Sequence, residues 1–472
     1  MNTIKISNLS PVNSNAVEPL YRQIYDRFRD AISSGLLKPG DRIPSVRALT
    51  KELGVARGTI DAAYSLLAAE GYILARGQAG TIVTPDLKPQ KPLANPLPKS
   101  SYQMTSFRPD SILPFQMGLP ALDKFPRKIW ARLGARCMRS IQPSDMAHPS
   151  VYGLPALRVE IASYLHMSRG INCSPSQLFI TSGYRHTIEL ICHALLKNED
   201  CVWLEDPGYP PTKEILKHLN ITSVPVPVDQ NGMVISDGIK MAPTARAAVV
   251  TPAHQSPLSV TLSLPRRLEL LNWAAQHNSW IIEDDYDGEY RYVSRPLPAL
   301  KSLDCDGRAL YAGTFSKVLF PGIRLAYLVV PESQIERFES VINTFSGGNP
   351  HLTQAIVAAF MKEGHFARHI QRMRKLYAER REATIKGLQS ALGEKITIDS
   401  QPGGMHLILR LQHSRSDRLL ITCMRENDMY GEALSDWFME DNGASALLIN
   451  FTNIDSQNTA ESLGKHILQL LE

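Results

Sequence analysis

Seven prolines between residues 85 and 114 (Pro85, Pro89, Pro92, Pro96, Pro98, Pro109 and Pro114) divide this chain of 472 residues, because neither a helix nor a central strand accommodates such a run. The fold must therefore be built from separate units on either side. The run, which opens TPDLKPQKPLANPLPKS, predicts an extended, semi-rigid linker over 85–114. With 43% apolar residues, the remainder is long enough to bury large cores. A small domain is expected over 1–84, a large domain over 115–350 and a smaller C-terminal subdomain over 351–472. The net charge of +5 is too small to argue for a nucleic-acid partner, and residues 1–85 hold 10 Lys/Arg against 7 Asp/Glu, a mild bias only. Six cysteines (Cys137, Cys173, Cys192, Cys201, Cys305 and Cys423) show no CxxC or Cys/His spacing, so neither disulfides nor a metal site are expected. The N-terminus lacks the order of a signal peptide and no apolar run approaches the ~18 residues of a membrane span, so the expected location is the cytoplasm, with no membrane partner.

Before the prolines, Leu20, Ile24, Phe28 and Ile32 recur at helical spacing and predict an amphipathic helix over 19–34 that Gly35 ends. Ser45 can cap a short helix through Glu52, Gly54 makes the turn, and Arg57 to Glu70 form a second helix with Ile60, Ala63, Tyr64 and Leu67 on one face. Residues 72–75 and 81–84 alternate as strands around RGQAG, a hairpin with a glycine turn. Three helices followed by a hairpin make a winged helix-turn-helix. Its recognition helix would present Arg57, Gly58 and Thr59 in the first turn, with Arg47 on the preceding helix and Arg76 at the wing. Arg57 is the candidate for reading base edges, while the other cations suit phosphate contact. Alone, such arginines are more readily a solvated face. The string LKPGDRIPSVRALTKELGVARGTI, however, resembles the GntR family of bacterial winged-helix regulators. That resemblance implies double-stranded operator DNA as partner, with contacts at Ser45, Arg47, Arg57, Gly58, Thr59, Arg76 and Gly77.

After the prolines, apolar runs (LFIT, CVWLED, AAVVTP, WIIEDDY, RALYAGTFS, RLAYLVVP) alternate with helical patterns, which predicts an α/β fold with a mainly parallel sheet and ligands at the strand ends. From about residue 365 a long basic helix opens an α+β subdomain. In GTFSK followed by VLFPGIRLAY, Lys317 at a strand end is flanked by Thr314, Ser316 and Arg324, two hydroxyls and a guanidinium suited to phosphate beside an amine suited to a carbonyl carbon. The strand WIIEDDYDGEYRY ends in acids whose burial demands a cation, and a protonated ring nitrogen is one. A metal site from Glu283, Asp285 and Asp287 is the competing use of that cluster, without the histidines that would accompany it. Gly183 and Tyr184, where a strand turns into a helix, offer backbone N–H groups to an anion. Tyr209, in EDPGYP, is the candidate for stacking on a flat ring, with simple loop packing as the alternative. His254 and Ser256, in TPAHQSP, should border the same ring.

These segments resemble fold-type I aminotransferases, and the order of domains, with the helix GHFARHIQRMRKLYAERR and the later GGMH, resembles the MocR subfamily of GntR regulators. The resemblance implies pyridoxal 5′-phosphate as cofactor, a Schiff base at Lys317, Asp284 as the acid at the ring nitrogen and Tyr286 beside the ring hydroxyl. It also implies a homodimer and a small-molecule effector, either the cofactor itself or an amine or amino acid that displaces Lys317. Two departures bear on enzymatic activity. Ser256 stands where aminotransferases carry an asparagine, and Leu448, in LLINFTNI, stands where they carry the arginine that binds substrate carboxylate. A sensor is the preferred reading, an active aminotransferase with an attached DNA-binding module the alternative, and whether any transamination occurs is open. The retention of both Lys317 and Asp284 speaks against a scaffold with a dead cofactor site.

Overall fold

A computed structural model describes residues 18–77, 80–87, 112–292, 298–399, 403–412, 416–440 and 445–471. The chain divides into two compact units, Met1–Pro109 and Asp110–Glu472. Of the expected linker, residues 88–111 lie outside the described residues.

In the first unit, α1 (Leu20–Ser33), α2 (Val46–Leu53) and α3 (Arg57–Ala69) precede the hairpin of β1 (Ile73–Ala75) and β2 (Thr81–Val83), which pair antiparallel with Ile73 opposite Val83. The Ser45 hydroxyl accepts from the Ala48 N–H at 3.2 Å and caps α2, and Gly54 ends that helix in the left-handed region at φ 65°. Ile24, Phe28, Ile32, Leu49, Ile60, Leu67, Ile73 and Val83 form one buried core. The four-residue spacing along α1 therefore served packing, with the Phe28 ring set edge-on to Tyr64 at 5.5 Å.

The second unit is built on an eight-stranded sheet. Its strands are β3 (Leu178–Thr181), β4 (Cys201–Asp206), β5 (Thr222–Asp229), β6 (Gly232–Met233), β7 (Ala247–Val250), β8 (Trp280–Asp285), β9 (Ala309–Thr314) and β10 (Ala326–Val329). They lie in the order β3-β10-β9-β8-β7-β4-β5-β6. Strands β9, β8, β7, β4 and β5 run parallel, whereas β10 is antiparallel to both β3 and β9, and β6 to β5. Burial fixes that β10 is a strand, but an all-apolar run carries no sign of its direction. Strand β5 went unread in the sequence because Pro225 and Pro227 interrupt it, a composition tolerated near the margin of a sheet.

A second, antiparallel sheet has the order β11 (Ile396–Asp399), β12 (His406–Leu411), β14 (Ala446–Asn450), β13 (Glu432–Ala433). The long helix His365–Leu392 joins the two cores: Phe366 and Ile370 pack with the large sheet, Met373, Tyr377 and Leu388 with the small one. At Gly387 the helix Gln457–Leu471 comes so near that a Cβ would stand 2.5 Å from the Gln457 carbonyl oxygen. Residues 115–121 belong to the small-sheet core through Phe115 and Ala121, and the Asn450 amide donates to the carbonyls of Gln116 and Leu119 at 2.9 and 2.8 Å.

Beneath the parallel strands, Arg169, 2% exposed, lies 2.5 Å from Asp285 and 3.0 Å from Glu289. The Tyr311 hydroxyl donates to Asp285 at 2.6 Å and the Tyr164 hydroxyl to Glu289 at 2.8 Å. Replacing Arg169 by methionine leaves two buried acids without their cation, and such losses cost about 3–5 kcal/mol. Urea titration followed by tryptophan fluorescence should show the second unit's transition moving to lower denaturant by that amount, with Arg169→Lys recovering part of it.

Candidate functional site

Strand ends and the loops that follow them surround one cavity of about 310 Å³. Strand β8 decides which of the acids in WIIEDDYDGEYRY enters it, because side chains alternate across a sheet. Glu283 points to the far side and accepts the backbone N–H groups of Leu300 and Lys301, both at 2.8 Å, and Asp285 is held by Arg169. Asp284, between them, faces the cavity. Burial, with Asp285, Glu205 and Asp287 nearby, drives its carboxyl well above the ordinary carboxylate range, and the Lys317 charge opposes this. A cationic ring nitrogen would supply the partner that the site otherwise lacks.

Strand β9 ends at Thr314 and delivers Ser316 and Lys317 to the same cavity. Lys317 Nζ donates to the Gly118 carbonyl at 3.1 Å. Burial lowers the Lys317 pKa, against the pull of Asp287, Glu432 and Asp284, which favours a neutral, nucleophilic amine. Arg324, in the left-handed region at φ 48°, reaches back across Gly183: a Cβ there would lie 3.2 Å from the guanidinium. Gly183, at φ 120°, precedes the helix Tyr184–Leu195, whose first N–H groups complete an anion cradle with Thr314, Ser316 and Arg324. An amine, a buried acid in want of a cation and an anion cradle thus line one cavity, which fits a phosphorylated pyridine aldehyde.

Tyr184, Tyr209, Ser256 and Tyr286 also line the cavity. The Tyr184 hydroxyl is bonded to Thr212 at 2.7 Å, so what it offers an anion is its backbone; Tyr209 stands edge-on to Tyr184 at 5.6 Å. His254 sits behind Tyr286, with Nδ1 3.0 Å from the tyrosine oxygen. Asp287, read in the sequence only as part of a competing metal cluster, lines the cavity too; the lining groups not singled out there are Gly118, His406, Glu432 and Trp437. They come from loops and from the small sheet, where no local pattern marks them. His406 alone lay in a motif already noted, GGMH. Leu448, in the expected arginine's place, is fully buried within β14.

In the first unit, Arg47, Arg57, Gly58, Arg76 and Gly77 are exposed and Thr59 is half-buried. Arg57 Nε is 3.5 Å from Asp61, a loose pair that leaves the guanidinium free to be recruited. The Ser45 oxygen accepts a helix N–H, so only its O–H remains to donate to an anion. Gly77 turns the wing at φ 55°.

Residues 20–83 match the family described as bacterial regulatory proteins, gntR family, and residues 121–434 match aminotransferase class I and II. The chain is similar to the probable rhizopine catabolism regulatory protein MocR of Rhizobium meliloti, 33% identical over 96% of this chain and 94% of that one. It is also similar to the pyridoxine biosynthesis transcriptional regulator PdxR of Corynebacterium glutamicum, 32% identical over 94% and 95%. Among solved structures, an archaeal alanine:glyoxylate aminotransferase superposes with a TM-score of 0.70 at 24% identity, covering 77% of this chain and 93% of that one, which shows a shared fold.

His406 carries a pH signature. Its Nε2 donates to the Pro257 carbonyl at 2.8 Å, and burial lowers its pKa to about 4, from the ordinary 6.5. The unfolded chain takes up a proton below 6.5 that the folded site refuses, so this group's contribution is complete above pH 6.5 and is lost as the pH falls toward 4. At pH 5 the loss is about 2 kcal/mol. His406→Gln keeps a donor without the titration, and the drop in Tm between pH 7 and pH 5, measured calorimetrically, should be smaller in that variant than in the parent.

Proposed function

The chain belongs to the MocR-type transcriptional regulators, in which a GntR helix-turn-helix is joined to an aminotransferase-like domain, and from that premise we propose that it binds pyridoxal 5′-phosphate at Lys317 and couples occupancy of that site to operator binding. The observation that carries this reading is that Lys317, Asp284 and the Arg324–Gly183 cradle line a single cavity. As part of the proposal, the DNA-binding domain is 1–84, the linker 85–114, the large domain 115–350 except for the strap 115–121 that packs with the small sheet, and the small subdomain 351–472, and the protein acts as a cytoplasmic homodimer.

The cofactor, when bound, supplies an aldehyde carbon for an amine and a phosphate for the cradle. The chain's residues do the rest. Lys317, its charge disfavoured by burial, presents its amine with the Gly118 carbonyl as orienting acceptor. Asp284 keeps a proton on the ring nitrogen, and Tyr286, backed by His254, donates toward the ring hydroxyl while Ser256 stands beside it. Arg324, Thr314, Ser316 and the amides after Gly183 hold the phosphate, and Tyr209 covers the ring. In the other unit, Arg57 reads base edges while Gly58 lets the backbone approach. Ser45, Arg47, Thr59, Arg76 and Gly77 contact phosphates. The effector is a ligand of the same cavity, and its binding must change DNA affinity as much as DNA changes its own.

The alternative, an active aminotransferase, is favoured by the intact pair of Lys317 and Asp284. It is opposed by Leu448, which leaves no arginine at the position that binds substrate carboxylate. Sustained turnover of an amino donor with a keto acid would establish it.

With pyridoxal phosphate added, the purified protein should develop a visible absorption band that Lys317→Ala lacks, and operator affinity should change with loading in the parent alone. The absence of a band in both proteins would sink the sensor. On duplexes selected from a random pool, Arg57→Ala should weaken binding by about 1–3 kcal/mol and relax preference at one base position. Arg76→Ala should weaken all sequences alike and reduce the salt dependence by about one ion.

A further inference from the structure

The cofactor site leaves part of the cavity wall without a role. If, as proposed above, Lys317, Asp284 and Arg324 are engaged by the cofactor, the strongest remaining side-chain charges are those of Glu432 and Asp287. Glu432 opens β13 and stands opposite Leu448 in the register, so an acid faces the cavity beside the place where a carboxylate-binding arginine was expected. Trp437 Nε1 donates to its Oε2 at 3.1 Å; among the described residues Oε1 accepts no bond. Asp287 is 1% exposed, and neither of its oxygens accepts a hydrogen bond, although His254 Nδ1 lies 3.2 Å away. His406, on the same wall, is held neutral by its burial. Among the described residues lining the cavity, the remaining cation is Arg185, but its side chain is 60% exposed and its guanidinium lies 3.8 Å from Glu214.

A ligand carboxylate brought into this space would meet two acids of its own sign. A ligand ammonium would relieve them, since a buried carboxylate without a partner is costly and a charge-assisted hydrogen bond offsets that cost. We propose that the effector is a diamine without a carboxylate, one nitrogen taking the place of Lys317 and the other held by Glu432, with Asp287 adding to the field. In the exchange, one carbon–nitrogen bond forms as the bond to Lys317 breaks. Two hydrogens pass from the incoming nitrogen to Lys317 Nζ, and no water or oxidant is consumed. This inference rests on the cofactor reading and narrows it from amines and amino acids to dications.

The test uses full-length protein loaded with pyridoxal phosphate and titrated with 1,4-diaminobutane, butylamine and 4-aminobutanoate, three amines of one chain length, while the visible band is recorded. The diamine should shift the band at a concentration at least tenfold below either of the others. In Glu432→Gln, which can still accept the Trp437 N–H, that advantage should fall to less than threefold, and Glu432→Asp should restore part of it. A preference for 4-aminobutanoate, an equal response to all three, or an undiminished diamine advantage in Glu432→Gln would overturn the inference and leave the cofactor reading standing. A parent protein with no band at all would remove both.

Discussion

A guanidinium sealed under the parallel strands sets the geometry of everything above it. Arg169 closes the helix Pro155–Arg169, and its charge is answered by Asp285 at the end of β8 and by Glu289 just beyond. Such a group adds little net stability over an apolar packing of the same volume, since desolvation cancels most of the attraction. What it fixes is register. With Asp285 committed to Arg169 and Tyr311, a slip of one residue in β8 would bury the wrong carboxylate against the wrong face, so Asp284 is held toward the cavity. The fold thus uses one acid to aim its neighbour.

How far the sequence disclosed this depends on whether the information is local. Thr314, Ser316, Lys317 and Arg324 fall within eleven residues, and a single strand and turn bring them together. The choice among Glu283, Asp284 and Asp285 is also local once β8 is known to be a strand, because alternation settles it. The helix-turn-helix is legible for the same reason: its caps, Ser45 and Gly54, and its apolar spacing lie in sequence order.

Glu432, Trp437, His406 and Gly118 are of another kind. They reach the cavity from a second sheet and from a strap of chain some two hundred residues before the lysine, and no spacing connects such residues before the fold does. Direction is the other quantity that a sequence hides. The apolar run of β10 reads as a buried strand either way round, and its antiparallel setting between β3 and β9 is a property of connections. Prolines mislead in the opposite sense, obscuring β5 although that strand carries part of the sheet.

The strap at Gly118 has a further bearing. Asn450 pins the chain at Gln116 and Leu119, and between those two anchors the Gly118 carbonyl takes its hydrogen bond from the Lys317 amine. Any partner that claims the amine takes that donor from the strap, and a carbonyl left dry costs about 1–3 kcal/mol. This strap directly follows Pro114, the last proline of the run. A ligand at the lysine would therefore be felt first in the backbone of residues 116–119, between the two anchors that Asn450 provides.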